Sequence, residues 1–165
     1  MRSAFPKRLW FLFLGVLFLS GCSQEVQLED FHGNPLHLKA KDQSWLVVNY
    51  WATWCDPCRE EVPELNALAA ADNGIRVWGV DFDNASPPAH LADLDDNVSL
   101  LGINFPVVSP VSVADLGIDL PPVLPATYIL DAQGQLKKKL LGPQTQKGLE
   151  QAVAELAAEL KAEQK

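Results

Sequence analysis

The chain has 165 residues, 48% hydrophobic and 21% charged, with 13 Lys and Arg against 21 Asp and Glu for a formal charge of −8. That length suits one domain with a sizeable core, and the acidic balance excludes nucleic acid as a natural partner, because binding phosphates takes a basic footprint. Three cysteines, Cys22, Cys55 and Cys58, are too few for a disulfide framework.

The first segment reads as an export signal. Arg2, Lys7 and Arg8 make a positive start, Leu9 to Leu19 is an apolar run, and "LSGC" follows with small residues before Cys22. The run is about half of the roughly 20 residues that a spanning helix needs. The tetrapeptide resembles a bacterial lipoprotein signal box, which implies removal of residues 1–21 and a lipidated Cys22 as the new amino terminus; an ordinary signal peptide with an unmodified cysteine is the alternative. Stable anchoring takes about two acyl chains, so such a terminus would hold a soluble domain at a membrane surface. The expected organisation is a signal peptide at 1–21, a lipidated terminus and polar tether at 22–30, and one folded domain at 31–165. The 144 residues left after cleavage carry 10 Lys and Arg against 21 Asp and Glu, a formal charge of −11.

"VQLEDFHGNPLHL" predicts two short strands joined by a turn at His32, Gly33, Asn34 and Pro35. "WLVVNYW", Trp45 to Trp51, is an almost unbroken apolar, β-prone run, as in a central strand buried on both faces. From Pro57 to Ala71 the spacing of Val62, Leu65, Leu68 and Ala69, with acids near the front, predicts an amphipathic helix ended by Asn73 and Gly74. "IRVWGVDF" then predicts a second central strand, and strand, helix, strand implies a right-handed parallel crossover. A helix opening at Ser86, a short strand at "FPVV" (Phe105 to Val108) and a proline-rich approach follow. "ATYILD", the turn "AQGQ" and "LKKKLLG" read as a hairpin, and the segment from Thr145 onward as a closing amphipathic helix.

Cys55 and Cys58 fall where the first central strand ends and a helix starts. Unsatisfied amides and the dipole at a helix start favour negative charge, so a cysteine there can titrate below the free value of about 8.5. Cys55 is the natural nucleophile, and Cys58, one turn inside, is placed to attack a mixed disulfide, with Pro57 stiffening the loop between them. A zinc ribbon would need a second CxxC or a His pair, and haem attachment a His at residue 59, which is Arg. Two thiolates could still carry Cu(I), which leaves a metallochaperone as the alternative to dithiol exchange, and an inert bridge as a third reading. His32, His37 and His90 read as surface residues, and Asp81 and Asp83 as solvated acids at a strand end.

"VVNYWATWCDPCREEVPEL" resembles the thioredoxin superfamily, in particular the exported, membrane-tethered TlpA/ResA type of thiol-disulfide oxidoreductase, over about residues 26 to 160. The resemblance implies an α/β thioredoxin-like fold: a central mixed sheet flanked by helices, an N-terminal β-hairpin and a TlpA-type helix and strand insertion. It implies no cofactor beyond the redox-active pair Cys55 and Cys58, and no metal. Pro63 matches the proline inside the active-site helix of that superfamily, and Glu61 an acid beside the cysteines that assists proton transfer. Asn49 stands where cytoplasmic thioredoxins place a buried Asp, so that relay is absent and Glu61 is the better candidate. "VLPAT" resembles the cis-proline loop, which implies a cis bond between Leu124 and Pro125 and a Leu124 backbone exposed to pair with an extended substrate segment. Trp54 is expected to form an apolar, substrate-facing platform, and Trp51 to belong to the core.

Asp56, Glu60 and Glu61 around the cysteines, opposed only by Arg59, offset part of the helix effect. A less stabilised thiolate predicts a reducing protein. The resemblance implies a membrane electron donor that recharges it, and exported disulfide-bearing clients, apocytochrome c among them. Ser23 lacks the Asp that often retains lipoproteins on an inner membrane, which is compatible with an outer-membrane destination on the periplasmic side.

Overall fold

The computed structural model describes residues 28–85 and 91–163. The expected signal peptide, the lipidated Cys22 and the start of the insertion helix near Ser86 and His90 lie outside these residues. Leu28 is buried and opens a strand, so residues 28–30, expected as part of the tether over residues 22–30, belong to the folded part.

Strands β1 (Leu28–Glu29) and β2 (Pro35–Leu36) pair antiparallel as the expected small hairpin. The main sheet holds β3 (Trp45–Trp51), β4 (Ile75–Asp81), β5 (Ala126–Leu130) and β6 (Leu136–Leu141) in the order β4-β3-β5-β6. β3 runs parallel to β4 and antiparallel to β5, and β5 antiparallel to β6. Helices are α1 (Asp56–Ala70), α2 (Leu91–Leu101) and α3 (Gln146–Glu163).

The apolar run of β3, interrupted only by Asn49, has the cause expected of it, since successive side chains point to opposite faces and both faces are covered. Val47 and Trp51 face a core shared with Val62, Leu65 and Leu68 of α1 and Leu149 and Val153 of α3. Leu46, Val48 and Tyr50 face a second core, with Leu28 and Leu36 of the hairpin, Val113 between two short 3-10 turns and Leu116 of the second. Asn49 shares the first face, and that places an amide against the helices.

The expected strand at Phe105 to Val108 is reduced to single bridges. Val107 bridges Gly79 in parallel and Val108 bridges Asp30 antiparallel, through Gly79 N–H to Pro106 O (2.8 Å), Val108 N–H to Gly79 O (2.8 Å) and Phe31 N–H to Val107 O (3.0 Å). Pro106 has no donor and Pro110 opens a 3-10 turn soon after, so the ladder cannot extend. The segment still locks the hairpin to β4.

Gly79 makes this close approach possible. A Cβ there would meet Trp51 Nε1 at 2.9 Å, Phe105 Cε2 at 3.0 Å and Val107 Cγ2 at 3.2 Å. Gly79→Ala is therefore expected to destabilise the fold by about 1–3 kcal/mol through overpacking, read as a lower urea midpoint with an unchanged slope. A midpoint equal to that of the parent would refute the packing assignment.

Candidate active site

β3 delivers the chain at its C-terminal end into a short loop, where Cys55 N–H donates to Ala52 O (3.2 Å) and α1 begins. Cys55 is the N-cap of α1, with an extended backbone (φ −89°, ψ 97°), and Pro57 occupies the first turn, where its missing N–H costs nothing. Cys55 and Cys58 form a disulfide with Cα atoms 5.3 Å apart. The sulfur of Cys55 takes the place of a capping oxygen: Cys58 N–H donates to Cys55 Sγ at 3.3 Å. An N-cap sulfur that receives a backbone N–H is a site for a thiolate on reduction, because the same dipole and donor that cap the helix stabilise its charge. Cys55 is 4% exposed and Cys58 fully enclosed, so Cys55 is the more accessible of the two sulfurs. α1 continues through Pro63 to Ala70, although Pro63 has no N–H for the carbonyl of Arg59.

Glu61 lies one helical turn after Cys58 and is 2% exposed. Its Oε1 accepts from Asn49 Nδ2 at 2.7 Å and its Oε2 from Gln144 N–H at 2.9 Å. Burial pushes its carboxyl up from an ordinary 4.5 to about 7, against the pull of the bonds from Gln144 and Asn49, which favour the charged form. A carboxyl that titrates near neutrality one helical turn from Cys58 has a proton affinity suited to taking up and returning a proton under ordinary conditions.

The bond between Leu124 and Pro125 is cis. Pairing of Tyr50 with Ala126 sets Pro125 at the same end of the sheet as the loop that carries Cys55. Leu124, half-buried, packs against the core cluster that contains both cysteines, and Pro125 O accepts from Gly142 N–H at 2.9 Å. Cysteine pair, carboxyl and cis-proline segment thus converge at one sheet end.

Trp54 is 62% exposed, and its indole N–H donates to Asp83 Oδ2 at 2.8 Å, while Trp51 is fully buried. The Arg59 guanidinium is turned onto Thr53 O and so lies over the loop before Cys55. Asp81 departs from its expected role as a solvated acid. It is 3% exposed, and its carboxylate accepts from Asn84 Nδ2 (3.0 Å), Asn97 Nδ2 (3.2 Å) and Asp83 N–H (3.1 Å), so it ties the end of β4 to α2. Asp83 is exposed as expected, but holds Trp54. His32 and His37 are exposed. Among the described residues no group of three or more His, Cys, Asp and Glu side chains is gathered in a way that could hold a metal ion.

Sequence reasoning missed Asn49 as a partner of Glu61 and found in it only the loss of a relay. A signal was present, because an amide inside "VVNYW" must find hydrogen bonds wherever both faces of the strand are buried. Gln144 carried no such signal, since it contributes only its backbone N–H.

The sequence profile of the AhpC/TSA family matches residues 22–139. The chain is 27% identical over 123 residues to the thiol-disulfide oxidoreductase ResA of Bacillus thuringiensis, covering 73% of this chain and 68% of that protein. It is 35% identical over 119 residues to the thiol:disulfide interchange protein DsbE of Pseudomonas aeruginosa, covering 69% and 60%. The fold is similar to the crystal structure of StoA from Bacillus subtilis, with a TM-score of 0.61 and 19% identity over 76% of this chain and 93% of that one.

Proposed function

We propose, from the premise that this chain belongs to the AhpC/TSA family of thioredoxin-like proteins and is a thiol-disulfide oxidoreductase, that it works outside the cytoplasm as a membrane-tethered reductant of exported proteins. The observation that carries this reading is the Cys55–Cys58 disulfide with its outer sulfur at the N-cap of α1. In the reduced protein the Cys55 thiolate attacks one sulfur of a client disulfide, and the other client sulfur leaves as a thiolate. Cys58, deprotonated by Glu61, then attacks Cys55 Sγ and frees the second client thiolate. The client has gained two electrons, the protein holds its disulfide, and a membrane thiol donor restores the dithiol.

The Leu124 backbone, presented by the cis bond to Pro125, pairs with the extended client segment, and the exposed Trp54 supplies an apolar surface beside Cys55. Cys22 carries the lipid that keeps the domain on the periplasmic side of a membrane. Asp56 and Glu60, exposed at the start of α1, limit the stabilisation of the thiolate and set the direction as reducing. Clients whose cysteines must be kept as thiols, apocytochrome c before haem attachment among them, fit that direction.

Trapping tests the reading. Cys58→Ser is expected to accumulate client proteins on Cys55 as conjugates released by dithiothreitol, and the double variant with Cys55→Ser to collect none. An absence of conjugates from cells that express Cys58→Ser would overturn it.

A further inference from the structure

Asn49 is 1% exposed in the middle of β3, on the face that meets α1. Its amide nitrogen donates twice, to Glu61 Oε1 at 2.7 Å and to Thr127 Oγ1 at 3.0 Å, and Thr127 is its direct register partner on β5. Its own oxygen has no protein partner. Turning the amide over would set that oxygen against the Glu61 carboxylate, acceptor to acceptor, so the ionised carboxyl selects the observed orientation. Thr127 is two residues after Pro125, so one amide joins the acid on α1 to the strand that carries the cis-proline segment. We propose that Asn49 is a positioning residue: braced by Thr127, its amide holds the Glu61 carboxyl where it exchanges a proton with Cys58. This rests on the role given to Glu61 above and adds the group that aims it.

The surroundings leave few other groups to do so. On its own helix Glu61 has Cys58 one turn before and Glu64 one turn after, and the Glu64 carboxylate is turned to Gln146 N–H at 2.9 Å. The loop into α3 presents the Gln144 N–H, and β3 and β5 present the uncharged Asn49 and Thr127. The one ion pair among the described residues joins Lys137 to Asp131, so no Lys or Arg pairs with Glu61. The side chain that holds it is therefore a neutral donor that favours the ionised carboxyl, at a buried position where the charge is otherwise penalised.

The test follows the Glu61 carboxyl by 13C NMR and the rate of disulfide exchange, each against pH, in Asn49→Leu, Asn49→Asp and Thr127→Val. A hydrogen bond to a charged group is equivalent to about one to two pH units, so Asn49→Leu should raise the Glu61 midpoint by more than one unit and carry the limb of the exchange profile with it. Asn49→Asp should raise it further, because two buried carboxyls in contact share one proton. Thr127→Val, which removes the brace and keeps the donor, should shift it in the same direction by less. Variants that stay folded and titrate at the parent midpoint would overturn the proposal. A shifted midpoint with no exchange activity in the parent protein would refute the role given to Glu61 and the proposal with it, whereas a parent-like midpoint in active variants would refute the positioning by Asn49 alone, and the two failures are distinguishable because the NMR reading does not depend on turnover.

Discussion

Cys55→Ser is expected to abolish disulfide exchange while leaving the fold intact. The thiolate is the attacking species, and a serine hydroxyl can neither attack a disulfide nor form one. Structural damage is not the cause, because the same position is the N-cap of α1 and serine is among the best N-cap residues. Its hydroxyl can accept the Cys58 N–H that Cys55 Sγ now receives at 3.3 Å. Reduction of insulin with a supplied thiol donor should fall to the uncatalysed rate, and the urea midpoint should match that of the reduced parent protein. Catalysed turnover persisting in Cys55→Ser would move the nucleophile to Cys58, although Cys58 is the enclosed sulfur and Cys55 the one with 4% exposure.

The second large effect is a pH dependence of stability set by Glu61. Its carboxyl titrates at about 7 in the fold against 4.5 when free, because burial penalises the charge more than the bonds from Gln144 and Asn49 favour it. A folded value above the unfolded one means that the native state binds the proton more tightly. Stability from this group is then complete below pH 4.5 and lost as pH rises to about 7, after which the penalty is constant. At 1.36 kcal/mol per pH unit that rise amounts to about 3 kcal/mol, a large share of the 5–15 kcal/mol typical of a domain. Glu61→Gln should remove this slope. It adds a pH-independent cost of about 1–2 kcal/mol, since Asn49 and Gln144 donate to different oxygens of Glu61 and the glutamine amide keeps only one of them, so the slope decides and not the absolute value. Denaturant titrations of the oxidised proteins at pH 4.5, 6 and 8 read it, and equal slopes in parent and variant would dismiss Glu61 as the titrating group.

Much of the site is legible in the order of its residues. The apolar run of "WLVVNYW", the helical spacing of Val62, Leu65 and Leu68, and the cysteines at the junction are local features, and each element occurs where its pattern predicts. The cis bond at Leu124 is implied by the likeness of "VLPAT" to a known loop and not by the residues alone. Phe105 to Val108 misleads because an apolar, β-branched segment reads as a strand, whereas Pro106 and Pro110 leave it only single bridges to Gly79 and Asp30. Asp81 misleads in the opposite sense: an acid at a strand end reads as solvated until Asn97, sixteen residues on, closes over it.

Residue order thus specifies which side chains can do the chemistry and where each lies along its own strand or helix, because apolar period, N-cap and turn are settled within a few neighbouring positions. What those side chains meet is a matter of long-range packing. The Asn49 amide reaches Thr127 across 78 residues, and Glu61 reaches Gln144 across 83. Sheet register and helix packing create those contacts, and with them the buried surroundings that shift a carboxyl from 4.5 to about 7. Burial and partner together set the proton affinity of an acid, and both are properties of distant segments brought into contact.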